Sequence, residues 1–195
     1  QAYAGDSAGK IGGKVDDIRL DFKAIPAKAS QKVELFANLD ARLPVGGPLD
    51  AERPEDTAHF TTAMQIFDSI GNAHSISVYF NRTSSNKWEW TAMTDGGQLA
   101  DGVEGKPMTV AKGNLMFDPT GKLQESNQQL VNTNFRNGAI ANQDLYFDFG
   151  DTLSAGGTGM KGTTMYGSSN AIFRNSQDGH TAGVLADTVI DSDGI

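Results

Sequence analysis

Hydrophobic and polar residues alternate strictly in several short runs. Val33, Leu35, Ala37 and Leu39 fall on one face of the first clear run. Ile76, Val78 and Phe80 do the same, with Ser75, Ser77 and Tyr79 opposite, and Leu145, Phe147 and Phe149 alternate with Tyr146 and Asp148. Period two bounded by turn residues predicts half-buried strands. Thr61 to Phe67 and His74 to Phe80 flank Asp68-Ser-Ile-Gly-Asn72, which reads as a β-hairpin with a longer loop. Asn86-Lys87 turns the chain into Trp88-Glu-Trp90, whose two indoles share one strand face. Asp118-Pro-Thr-Gly121 is a further turn between Leu115–Phe117 and Leu123. No amphipathic helix longer than three turns stands out, so the expected fold class is mainly β.

Between these strands lie polar excursions at 44–54 and at 95–107. The Gly/Ser/Thr-rich stretch from Ser154 to Ser169 reads as a flexible or irregular connection. The two ends resemble each other: Gly13-Lys-Val-Asp-Asp17-Ile-Arg-Leu-Asp21 aligns with Gly183-Val-Leu-Ala-Asp187-Thr-Val-Ile-Asp191 on a Gly, two Asp and two apolar positions. Ends that pair within one small domain leave the middle as an insertion, which domain anatomy tolerates. The expected architecture is an outer β-sandwich or barrel-like domain over residues 32–149. It is carried on a smaller inner β-rich domain built from 1–31 and 150–195.

Composition narrows the function classes. The 195 residues include 16 Lys+Arg against 24 Asp+Glu, a formal net charge of −8, which argues against a phosphate-backbone partner such as nucleic acid. No apolar run is long enough to span a membrane as a helix. The absence of Cys removes disulfides, thiolate metal sites and cysteine nucleophiles. The first residues show no basic and apolar pattern of a cleaved signal peptide. A start without Met and an end on Asp-Ser-Asp-Gly-Ile195 lead to the expectation of a piece cut from a longer protein.

Candidate chemistry is sparse. The only histidines are His59, His74 and His180, with no pair at helical metal-binding spacing. His74 stands at the start of a strand with neither an orienting acid nor a nucleophile to nominate; a ring packed or bonded at a hairpin mouth is the expected role. Tyr166-Gly-Ser-Ser-Asn170 lacks the second Gly of a nucleophile elbow. Asp191-Ser-Asp193-Gly194 resembles the start of a calcium loop, but the remaining ligands are missing. Gly5 to Gly13 has neither dinucleotide nor P-loop spacing. Two carboxylates suffice for a glycosidase, yet nothing singles out a pair. Trp88 and Trp90 could form a sugar-stacking platform; a core strand suits them better, because a one-sided strand sends its apolar face inward. No catalytic, metal or cofactor site is expected.

One set of residues has a familiar arrangement. Phe67-Asp68-Ser-Ile-Gly71-Asn72-Ala-His74-Ser-Ile-Ser-Val78-Tyr79-Phe80 followed by Trp88-Glu-Trp90 resembles the bacterial flagellar hook protein family. The resemblance continues at Ile25-Pro-Ala27, Ala37-Asn-Leu-Asp40, Phe117-Asp-Pro-Thr-Gly121-Lys-Leu123, Gln177-Asp-Gly179 and Val189-Ile-Asp191. It implies a non-enzymatic structural subunit that self-assembles into a helical tube, the universal joint between rod and filament, for motility. It also implies an extracellular location reached without a cleaved signal peptide, and contacts with other axial, cap and junction proteins. Phe67, Asp68, Gly71, Asn72, His74, Tyr79, Phe80, Trp88, Phe117 and Gly121 are then structural signature residues. Distal-rod proteins are the rival within the same class, and an extracellular carbohydrate-binding module using Trp88 and Trp90 is the rival outside it.

Overall fold

The structure, a computed structural model, describes residues 2–5, 11–16 and 24–183. The alignment of the two ends, the terminal Asp-Ser-Asp-Gly and the Gly5–Gly13 stretch fall wholly or largely outside the described residues. The strands are β1 (Ala2–Gly5), β2 (Ile11–Asp16), β3 (Lys32–Asn38), β4 (Phe60–Phe67), β5 (Ala73–Arg82), β6 (Lys87–Asp95), β7 (Pro107–Phe117), β8 (Leu123–Leu130), β9 (Tyr146–Asp148) and β10 (Ala171–Gln177). One short helix, α1 (Pro54–Thr57), and two 3₁₀ turns complete the described elements. The protein is mainly β.

The chain divides into two compact units, Gln1–Ile25 with Gly183–Ile195, and Pro26–Ala182. In the first, β1 pairs antiparallel with β2, and Ile25 exchanges both backbone hydrogen bonds with Gly183. The second holds two sheets, a five-stranded meander β4-β5-β6-β7-β8 and a three-stranded sheet β10-β3-β9. The meander is antiparallel throughout, as short hairpin connections dictate. In the small sheet β3 runs parallel to β9 and antiparallel to β10. Strand β10 thus lies in the stretch expected to join the inner domain, yet pairs with β3.

Alternation sets the core. Val33, Leu35, Ala37 and Leu39 are fully buried, as are Ile76, Val78 and Phe80; Leu145, Phe147 and Phe149 point inward while Tyr146 stays exposed. Both sheets contribute to one cluster: Trp90 packs on Phe147 and Phe149 with ring centroids 4.9 and 5.0 Å apart, and Phe80 meets Phe149 edge-on at 6.1 Å. Such aromatic contacts add about 0.5–1.5 kcal/mol each beyond the area they bury.

Two expectations need correction. Tyr79 lies opposite the core face of β5 alongside Ser75 and Ser77, but it is buried rather than solvated. The 44–54 excursion and α1 after it fold over that face: α1 packs against β5, Gly46 N–H donates to the Arg82 carbonyl at 2.8 Å, and Asn81 Nδ2 donates to the Gly47 carbonyl. The Ser154–Ser169 stretch is irregular, as its composition predicts, but it is tied down. Thr163 and Thr164 are buried, Leu39 N–H donates to Thr164 O at 2.8 Å, and Thr164 N–H donates to Ala37 O at 2.9 Å. Backbone polar groups left by β3 at its end need partners, and this segment supplies them.

Candidate functional site: two matching hairpin loops and the indole strand

The β4–β5 connection is built around Asp68, a fully buried carboxylate. Its Oδ1 accepts from the backbone N–H of Ile70 at 3.0 Å and of Asn72 at 2.9 Å. Its Oδ2 accepts from Asn72 Nδ2 and lies 2.9 Å from His74 Nε2. Asp68 N–H donates to Asn72 O, and Gly71 N–H donates to Asp68 O. This closure places Gly71 at φ +90°, where glycine carries no steric penalty. A Cβ on Gly71 would also lie 2.9 Å from Ala27 Cβ. Burial pushes the Asp68 carboxyl up, but the bonds from His74, Asn72 and Ile70 outweigh it and hold the group below its ordinary value.

His74 completes the loop. Its Nδ1 lies 2.9 Å from Gln98 Oε1, and its ring stacks on Phe135 with centroids 3.9 Å apart. Both ring nitrogens are therefore occupied and one face is covered. A general base needs a free nitrogen within reach of a proton to abstract; this histidine is a tie between the hairpin, the 3₁₀ turn Gly96–Gln98 and the loop at Phe135. Beside it, Ser30 N–H donates to Phe67 O and Phe67 N–H to Ser30 Oγ, both at 2.9 Å, while Gln143 Nε2 donates to the carbonyls of Ser30 and Phe67.

The β7–β8 connection repeats the design. Asp118 Oδ1 accepts from Thr120 N–H at 2.8 Å and Lys122 N–H at 3.0 Å; Asp118 N–H donates to Lys122 O, and Gly121 N–H to Asp118 O. Gly121 has φ +82°, and a Cβ there would lie 2.3 Å from Met165 O. Asp-x-x-Gly-x is thus one loop used twice, a five-residue connection between strands with a left-handed glycine at its fourth position. The amide of Lys122, with Thr120, holds the Asp118 carboxyl below its ordinary value.

The signature residues therefore fall into three places. Phe67, Asp68, Gly71, Asn72 and His74 meet in the first loop. Phe117 and Gly121 mark the second, with Phe117 buried. Tyr79 and Phe80, further along β5, and Trp88 on β6 lie in the large sheet. Trp88 and Trp90 are both buried, at 0% and 1% exposure, and Trp88 Nε1 donates to Met165 Sδ at 3.3 Å. Ser30, Gln98, Phe135 and Gln143 escaped the sequence reading. They approach the first loop from distant segments, and no local pattern marks them.

Among the described residues no group of His, Asp or Glu is arranged to hold a metal ion, and no helix is long and apolar enough to cross a membrane. The family model of the flagellar basal body protein FlaE D2 domain matches residues 38–180, from the end of β3 past β10. The chain belongs to this family. As a D2-family chain it is 28% identical over 167 residues to the flagellar hook protein FlgE of Helicobacter pylori (strain ATCC 700392 / 26695), covering 83% of this chain and 23% of that protein. It is 25% identical over 193 residues to the flagellar hook protein FlgE of Treponema pallidum (strain Nichols), covering 88% of this chain and 42% of that protein. The chain thus spans less than half the length of these relatives. A solved 32 kDa fragment of the flagellar hook protein FlgE from Caulobacter crescentus aligns with 69% of this chain and 52% of its own, at 14% identity and a TM-score of 0.49.

Proposed function

We propose that this chain is part of a non-enzymatic structural subunit of the bacterial flagellar hook. In this reading it is an extracellular protein that assembles with copies of itself and with other axial, cap and junction proteins into the tube joining rod to filament. The observation that carries the reading is the FlaE D2 match over residues 38–180, which contains both Asp-x-x-Gly loops and the indole strand. The site supports it: the signature polar residues bond to one another rather than to an open cleft. The burial of Trp88 and Trp90 speaks against a sugar-stacking platform, which requires exposed indoles.

The finer architecture belongs to the same proposal. The two sheets of Pro26–Ala182 form a barrel-like outer domain, wider than the 32–149 expected from the sequence, inserted in a smaller inner domain made from both chain ends. Two side-chain amides support closure. Gln128 on β8 donates from Nε2 to the Leu145 carbonyl and accepts through Oε1 from Phe147 N–H at 2.8 Å, standing in for a peptide group between β8 and β9. On the other side Asn175 Nδ2 on β10 donates to the Ala63 carbonyl of β4 at 3.1 Å. The backbone bridge between Ile25 and Gly183 supports the two-ended inner domain.

Immunogold electron microscopy with an antibody raised against this chain, applied to flagella of the source bacterium, tests the assignment. Label confined to the short curved segment between rod and filament is expected. Label on the rod would change the member, and label on no flagellar part would overturn the reading.

A further inference from the structure

We propose that Asn137 is a site of spontaneous covalent modification: it cyclises with Gly138 and converts to aspartate and isoaspartate as the folded protein ages. Asn137-Gly138 is the single Asn-Gly pair in the sequence. Both residues are exposed and both have positive φ, +68° and +86°. A Cβ built on Gly138 would meet nothing within 4 Å, so the peptide group between them has room to turn. Among the described residues, neither the Gly138 N–H nor the Asn137 side chain has a hydrogen-bond partner, so nothing must break before reaction.

The step needs only water. Gly138 N loses its proton and attacks Asn137 Cγ; the bond from Cγ to the side-chain nitrogen breaks, and that nitrogen leaves as ammonia. Water then opens the resulting five-membered imide at either carbonyl, giving the aspartyl chain or the isoaspartyl chain with its extra main-chain carbon. A neighbouring glycine is the favourable partner because it has no Cβ to obstruct the approach.

The comparable Asp-Gly pairs among the described residues are restrained. Gly96 N–H donates to Lys106 O at 2.8 Å, Gly102 N–H to Leu99 O at 3.3 Å and Gly179 N–H to Gln177 Oε1. In two of them the carboxylate is committed as well: Asp95 accepts from Gly97 and Gly105 N–H, and Asp178 from Gln31 and Lys32 N–H. On either side of Asn137 the chain is anchored, by Arg136 Nε to Leu99 O at 2.6 Å and by Ile140 N–H to Ser69 Oγ at 2.7 Å. The reactive pair is therefore the free crest of a fixed loop.

The test is to age the folded chain in mildly alkaline buffer and map its peptides by mass spectrometry. The peptide containing Asn137 is expected to gain about 1 Da and to split into two isomers, ahead of every other asparagine peptide. The N137Q chain, aged alike, is expected to keep its mass. Two results would overturn the proposal. One is an intact Asn137 after an interval in which the urea-unfolded chain converts. The other is an equal mass gain in N137Q.

Discussion

Asp68 holds its place through four hydrogen bonds in the absence of solvent. Removing it leaves two backbone amides, the Asn72 side-chain amide and a histidine facing a void. Asp68→Ala is therefore expected to cost about 3 kcal/mol or more, seen as a lower urea midpoint at unchanged slope. The carboxylates also set an acid limit. Arg42, through its side chain and then its backbone N–H, holds Asp40 at about 2. Burial works to raise Asp178, but Lys28 and the amides of Lys32 and Gln31 prevail and bring it to about 2. Both lie below the unfolded value of about 3.9, so between these pH values the unfolded chain binds more protons than the folded one. Their contribution is present in full above about pH 5 and is lost as the pH falls toward about 2. Urea midpoints measured down that range should drop, and Asp178→Asn should flatten the slope. At Gly121 the argument is steric: Gly121→Ala forces a Cβ against Met165 O in a left-handed conformation, an expected loss of roughly 1–3 kcal/mol.

Elements meet at seams as well as in ladders. Gln128→Ala leaves the Leu145 carbonyl and the Phe147 N–H without their partner; a cost of roughly 1–3 kcal/mol is expected. Faster hydrogen exchange at Phe147 N–H than at Tyr146 N–H, which donates to Gln31 O on the β3 side, would locate the loss at the β8–β9 seam. The strands β3, β4, β5, β6 and β9 were legible, whereas β10 carries no alternation that marks it. The alternation at 145–149 correctly placed three side chains inward, and the Asp68–Asn72 and Asp118–Gly121 turns were found from residue type alone. Pairing was not legible, because period two tells which face is buried and not which strand lies alongside. The partners of β3 come from strands far along the chain, and neither β9 nor β10 carries a local mark of that choice. The burial of Tyr79 was hidden for the same reason: its cover is a polar excursion whose composition reads as solvent-facing.

At the scale of the molecule, the indole strand decides between assembly subunit and sugar binder. Trp88 and Trp90 are expected to give blue-shifted emission, weak quenching by iodide and no change on adding oligosaccharides. A red-shifted, sugar-responsive spectrum would contradict their burial. The family could be read from an ordered series of short motifs because those motifs are loop and core determinants, which local spacing encodes. The contacts that tie the first loop to Ser30, Gln98, Phe135 and Gln143 are properties of the folded whole. An open sheet edge is a template on which a foreign strand can grow, and crowding with identical chains makes that hazard worse. In Pro26–Ala182 the backbone groups at Ala63, Leu145 and Phe147 are already engaged by Asn175 and Gln128. These two side chains are expected to keep those groups from pairing with a foreign strand, and a variant lacking both is where fibrils would be expected to start.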